Sequence, residues 1–142
     1  MSVDDLKVFL ETGIPFNRLL GIRLVLLEKG HVRLEIPFRD DLVGDPFRPA
    51  LHGGVLSALA DTAGGAAVWS HAEDTRPRVS TLDLRVDYLR PARLERIVAD
   101  ARVVRMGNRV GVVDVRLFHP SSEDETFATC KAVYNISPVK KA

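Results

Sequence analysis

LHGGVLSALADTAGGAAVW, residues 51–69, is the stretch that decides the fold. It is poor in β-branched residues. Val55, Leu59 and Thr62 fall on one side at helical spacing, with Leu56, Ala60, Ala63 and Ala67 winding beside them, which predicts a helix from Gly54 to about Ser70. Gly64 and Gly65 each cost about 1 kcal/mol against alanine in helix propensity. Such a cost is tolerable where a bulkier side chain would hold off a close neighbour, so this helix is expected to be embraced by sheet.

Toward the N-terminus, residues 3–20 carry a second helical rhythm. Val3, Leu6, Phe9 and Leu10 are spaced for one face, Gly13 with Pro15 ends the first segment, and the turn PFNRLLG follows. IRLVLLEKGHVRLEIPF reads as two strands joined at Lys29 and Gly30. RDDLVGDPFRP, rich in prolines and acids, reads as a loop. Beyond the helix, a turn at EDTRPR leads into VSTLDLRVDYLRP, whose alternation puts Leu82, Leu84, Val86 and Tyr88 on one face and Thr81, Asp83, Arg85 and Asp87 on the other. IVADARVVRM groups Ile97, Ala99, Ala101 and Val103. The turn MGNR, the strand VGVVDVRLFHP, the polar loop SSEDE and the strand TFATCKAVYNI complete the pattern, and PVKKA reads as a frayed end.

Helix, two strands, a long helix and then three or four long strands make an α+β chain. An antiparallel sheet with one apolar face needs a cover, and the central helix is the element long and apolar enough to supply it. The absence of βαβ alternation argues against a doubly wound fold. The expected organisation is an N-terminal helical segment over residues 1–20 and one domain over residues 21–137.

The 142 residues suit a single domain that buries about two-thirds of its extended surface. Twenty basic against nineteen acidic residues leave a net charge of +1, which suggests neither a nucleic-acid partner nor an anionic membrane. The acidic start MSVDDLKVFLETG lacks the plan of a secretory signal, and the apolar stretch Val55–Trp69 is interrupted by Asp61 and too short for a membrane span. The single cysteine, Cys130, reads as a buried thiol, and a reducing cytoplasm is the expected location.

Two features of the central helix carry chemistry. Gly53 and Gly54 stand where loop becomes helix, with backbone N–H groups that have no carbonyl partner inside the helix and no Cβ to keep a ligand away. They are either a tight helix entry or a site that stabilises negative charge on a carbonyl oxygen under attack. His52 is placed to cap the helix or fix the loop. Asp61 sits two turns in, among small apolar residues, where an unpaired carboxylate would lose several kcal/mol to desolvation. It is either a buried ion pair or cap, or a general base or nucleophile beside a wet pocket.

Gly54 and Asp61 are seven residues apart, about 10 Å along a helix. Reacting groups must meet within about 3 Å, so one chain cannot readily bring both to one carbonyl. Two antiparallel copies of the helix can, and the expected active unit is a homodimer with shared sites. Thr81 is placed to hold Asp61 or a water, and Asp45 with His52 to add polar contacts from the loop. Arg105, Asn108 and Arg109 form a turn that either meets phosphates or is solvated, and Arg90 is equally open. His31, His52, His71 and His119 show no metal-ligand spacing, so no metal is expected.

LHGGVLSALADTAGG, with VSTLDLRVDYLRPA and GNRVGVVDVRLF, resembles the hotdog-fold acyl-CoA thioesterases of the phenylacetate-pathway type over roughly Gly21 to Ile136. The resemblance implies a sheet wrapped round a central helix, dimers that often pair into tetramers, and hydrolysis of an acyl- or aryl-CoA thioester. Coenzyme A would then be part of the substrate, with no separate cofactor. It also implies that Gly53 and Gly54 hold the amide that polarises the thioester carbonyl, that Asp61 is base or nucleophile, that Thr81 assists across the site, and that His52 shapes the pocket. The family often carries an asparagine in the loop before that histidine. Asp45, followed by Pro46 and with one extra residue of spacing, stands nearest, a departure expected to alter rate or acyl preference. Leu56, Leu59, Phe47 and Trp69 are the expected apolar wall of the acyl chamber. The competing readings are a hotdog enoyl-CoA hydratase, which would pair an acid with a histidine at one helix start, and a non-catalytic acyl-CoA-binding protein.

Overall fold

The computed structural model describes residues 2–71 and 77–137; most of the expected turn at 73–78 and the tail at 138–142 lie outside the described residues. The central helix forms as α3, Gly53–Trp69, with His52 as its N-cap. It packs on a six-stranded antiparallel sheet of order β1-β2-β6-β7-β8-β5. These strands are β1 (Arg23–Glu28), β2 (His31–Ile36), β5 (Arg78–Tyr88), β6 (Ile97–Met106), β7 (Val110–Phe118) and β8 (Ala128–Ser137). The α+β hotdog arrangement expected from the sequence is the one observed, with α3 touching β2, β5, β6, β7 and β8.

Small side chains on both surfaces permit that close approach. Ala60, Ala63 and Ala67 on the helix and Ala99, Ala101, Ala128 and Ala132 on the sheet are all fully buried in one core, with Val32, Leu34, Val113 and Leu117 filling the wider gaps. Cys130 lies in β8 and is buried as expected. Burial, reinforced by the charges of Asp61, Asp114 and Asp87, pushes its thiol up to about 12. Iodoacetamide at pH 8 is therefore expected to leave the native protein unlabelled and to add one label per chain after denaturation, read by intact mass. Labelling of the native protein would show that β8 is not packed in this way.

Three expectations are corrected. The N-terminal rhythm is not one face: α1 (Val3–Val8) runs into a π-helical turn at Phe9–Gly13 and then α2 (Pro15–Leu20). The extra residue in that turn rotates the register, so Leu6 and Leu10 are buried while Val3 and Phe9 are left largely exposed. The expected loop before α3 contains a short pairing of β3 (Val43–Asp45) with β4 (Ala50–Leu51), after a 3-10 turn at Asp40–Leu42. In β5 the register shifts between Thr81 and Asp83. Leu82, expected with Leu84 and Val86 on the covered face, is the bulged residue and is 60% exposed.

Candidate active site

The start of α3 is built by three side chains. His52 holds an extended backbone, and its Nδ1 accepts the Gly54 N–H at 2.8 Å. An accepting Nδ1 carries no proton, so the neutral ring keeps its hydrogen on Nε2. The Gly54 amide, one of the two expected to meet a carbonyl, is thus engaged by its own cap. The Gly53 N–H has no partner among the described residues. The Gly53 carbonyl accepts the Tyr88 hydroxyl at 3.1 Å, and the same hydroxyl is bonded to Ser57 Oγ. The Tyr88 ring lies so near that a Cβ on Gly53 would stand 3.3 Å from Cε1. A side chain at this position would be a tight contact that the half-exposed Tyr88 ring must relieve by a small shift.

Two turns on, Asp61 is half-buried and held from two strands. Thr81 Oγ1 donates to Asp61 Oδ1 at 2.7 Å. Tyr134 Oη donates to the Asp61 carbonyl at 2.8 Å and lies 3.2 Å from the same Oδ1. Thr81 and Tyr134 are direct partners across β5 and β8. Simple alternation places Thr81 opposite to Leu84 and Val86; the bulge at Leu82 resets the parity and turns Thr81 toward the helix. Burial, reinforced by the Asp61 charge, drives the Tyr134 phenol far above its ordinary value, so it stays a neutral donor. Asp61 Oδ1 is anchored, and Oδ2 has no protein partner among the described residues.

Beside Asp61 opens a cavity of about 510 Å³. Its wall includes Trp69 and Val79 together with Phe9, Ile14 and Phe16 of the N-terminal segment. Of the four side chains expected there, only Trp69 takes part. Leu56 and Leu59 are in the core and Phe47 is 93% exposed. The structure places Asp45 in the β3–β4 turn, where its Oδ1 accepts the N–H groups of Phe47 and Arg48 at 2.9 and 3.0 Å.

The four residues expected at phosphates separate into two groups. Arg90 follows β5, whose last residue, Tyr88, touches the start of α3. Arg105, Asn108 and Arg109 surround the β6–β7 turn at the other end, where Gly111 lies against Val68. All four are exposed. Within one chain they cannot clasp a single phosphate.

Tyr134, Tyr88, Ser57 and the N-terminal wall were not found from the sequence. The glycine pair signalled that something approaches the helix, since a Cβ on Gly64 would lie 2.3 Å from Tyr134 Oη; nothing in the sequence named the tyrosine. Among the described residues no cluster of three His, Cys, Asp or Glu side chains is placed to hold a metal ion, and no helix is long and apolar enough to cross a membrane.

Residues 49–126 match the thioesterase superfamily model. The chain is 36% identical over 135 residues to the medium/long-chain acyl-CoA thioesterase YigI of Escherichia coli K12, covering 87% of this chain and 86% of that one. A thioesterase family protein from Silicibacter pomeroyi superposes with a TM-score of 0.79 at 29% identity, over 89% of this chain and 92% of the other. Thioesterase HI1161 from Haemophilus influenzae, at 22% identity and a TM-score of 0.84 over 99% and 94% of the two chains, shares the fold. The match thus spans the stretch that contains the α3 start, Asp61 and Thr81, and the chain belongs to the thioesterase superfamily, a thioester hydrolase on the hotdog fold.

Proposed function

We propose that this hydrolase cleaves medium- to long-chain acyl-CoA thioesters to free acid and coenzyme A, at sites shared by two copies of the chain and laid out as in the phenylacetate-pathway type. The observation that carries the reading is Asp61: one oxygen is fixed by Thr81 and Tyr134, and the residue borders a cavity with both apolar and polar walls in a chain of this family. The likeness to YigI supports the acyl class.

Gly53 and Asp61 are eight residues apart, about 12 Å along α3. A second, antiparallel copy is therefore required to bring the partner subunit's Gly53 amide to the carbonyl that Asp61 serves. The surface of one chain suits such a partner. The face of α3 left open by the sheet consists of Gly54, Ser57, Ala58, Asp61, Thr62 and Gly65, mostly small residues that let two helices lie close. β5 is an unpaired edge beside it, with Leu82, Tyr88 and Leu89 more than half exposed. An antiparallel pairing would set the end of one copy that carries Arg90 near the end of the other that carries the 105–109 turn, and both are assigned to the coenzyme A phosphates. Pairing of dimers into tetramers, and a cytoplasmic location, belong to the same reading.

The chemistry then follows from proton and charge balance. Asp61 Oδ2 takes a proton from a water as its oxygen bonds to the thioester carbon. The carbonyl electrons move onto oxygen, where the Gly53 N–H and the α3 start stabilise the negative charge. Collapse of that adduct breaks the C–S bond, and the departing thiolate receives the proton from Asp61. His52 holds the helix start rigid through Gly54. No step needs a group outside the protein, water and substrate.

Thiol release from a series of acyl- and aryl-CoAs, with the molecular mass measured by sedimentation at assay concentration, tests the proposal. Turnover by a dimer or larger assembly is expected, favouring longer aliphatic thioesters. Tight acyl-CoA binding without thiol release, or loss of the enoyl absorbance of crotonyl-CoA in its place, would overturn the reaction. An active monomer would overturn the shared site.

A further inference from the structure

We propose that the N-terminal helical segment is the acyl-selecting wall of this site, and that Ile14, which lines the cavity together with Val79 and Trp69, sets the length of unbranched aliphatic chain accepted. This rests on the reading of Asp61 as the reacting carboxylate. The 510 Å³ cavity lies within the range of small-molecule sites, about 300–1,000 Å³. Asp61, Thr62, Thr81 and Tyr134 provide polar groups of its wall and Arg78 and Asn17 two more, while Phe9, Leu10, Ile14, Phe16, Trp69 and Val79 provide most of its apolar part. A thioester carbonyl at Asp61 thus has an apolar space beside it for the group attached to that carbonyl.

Leu6, Leu10 and Leu20 anchor the segment in the core, and further contacts set its position beside the cavity. The Phe9 ring packs on Trp69 with centroids 5.3 Å apart. Asn17, itself 3% exposed, donates from Nδ2 to the Leu10 carbonyl at 2.9 Å and so ties α2 back to the π-helical turn. That turn brings Phe9 over Trp69, and Gly13 keeps clear of the ring, since a Cβ there would lie 2.9 Å from Phe9 Cδ2. Phe9 and Phe16 nevertheless remain 42% and 55% exposed. Large apolar rings fixed at a cavity wall but left partly in water are what an incoming alkyl chain would cover.

Ile14 supplies a test in two directions at one position. Ile14→Trp fills the space and Ile14→Ala enlarges it. Rates of thiol release would be measured with butanoyl-, octanoyl-, dodecanoyl- and hexadecanoyl-CoA. Ile14→Trp is expected to lower the kcat/KM ratio of dodecanoyl- to butanoyl-CoA by tenfold or more, and Ile14→Ala to move the optimum toward hexadecanoyl-CoA. A loss that is uniform over chain length in both variants would show a merely structural role and overturn the inference. Should Ile14→Trp fail to fold by its melting curve, Val79→Phe fills the same space from the β5 side and carries the same expectation. Trp69, the single tryptophan, gives a readout independent of turnover. The non-hydrolysable S-dodecyl-CoA thioether is expected to change its emission and coenzyme A alone is not, with Ile14→Trp replaced in this assay by Val79→Phe to keep one fluorophore. If the parent protein released no thiol from any acyl-CoA, the proposed reaction would fall, and the thioether titration alone would decide the chamber: no emission change, or one unaltered by Val79→Phe, overturns it.

Discussion

Asp61→Asn is expected to lower kcat for a good acyl-CoA substrate by about two to four orders of magnitude, the contribution of a positioned general base. The substitution is nearly isosteric, and the site itself determines which way the amide points. Thr81 donates to Oδ1, and Tyr134 shares its one hydrogen between the Asp61 carbonyl and that same oxygen, an arrangement that favours the asparagine carbonyl in that place and the amide nitrogen in the place of Oδ2. The atom that should receive a proton from water then bears two of its own. Since both donors remain satisfied, the melting temperature is expected to stay within about 5 °C of the parent. Thiol-release kinetics and a thermal melt on the same preparation check both halves. Parental turnover would remove Asp61 from the reaction, and a collapsed melt with lost activity would make it a structural carboxylate.

The central helix was legible because its signals are local. A capping histidine, low β-branching and a 3.6-residue rhythm all lie within residues 52–69 and all point the same way. The strands β2, β7 and β8 were legible for the same reason, as each keeps a largely alternating pattern against one buried face, while β6, buried on both faces from Ile97 to Ala101, was legible from its apolar run and turn boundaries. Thr81 was named for the right neighbour but on a face that plain alternation turns away from it. A bulge is one extra residue, and it leaves no signature in the two-residue period except the misplaced Leu82.

The remainder depends on distances between elements far apart in sequence. Tyr134 lies 73 residues from Asp61 and looks in the sequence like any strand aromatic. The N-terminal segment was read as a helical rhythm on one face because nothing in its spacing marks the π-helical turn at Phe9–Gly13, and that same turn lays Phe9 on Trp69 beside the cavity. The loop acid Asp45 seemed a substrate contact because it stands before the helix start. What the sequence did not show is that its Oδ1 accepts two backbone amides after Pro46, where proline leaves the turn short of a donor.

The two adjacent glycines of α3 are expected to respond to alanine with opposite signs. At Gly65 a Cβ would meet the Tyr134 ring at 3.5 Å, an ordinary contact, so Gly65→Ala should gain up to about 1 kcal/mol from helix propensity. At Gly64 the same methyl would stand 2.3 Å from Tyr134 Oη and 3.0 Å from Cζ. Tyr134 is 1% exposed and cannot swing away without disturbing the core. Overpacking costs about 1–3 kcal/mol, and a buried hydroxyl pushed off its acceptors about 1–3 kcal/mol more. Together they outweigh the propensity gain of about 1 kcal/mol, so Gly64→Ala should destabilise by about 1–5 kcal/mol in urea denaturation. Tyr134→Phe removes the atom in closest conflict, so the double substitution should cost less than the sum of the singles, a coupling that only direct contact produces. Additive losses would mean that Gly64 is needed for some reason other than the tyrosine. The anchoring of Asp61 through Tyr134 would then lose its explanation in the glycine pair, and Thr81 would be left as the one hydroxyl fixing the carboxylate.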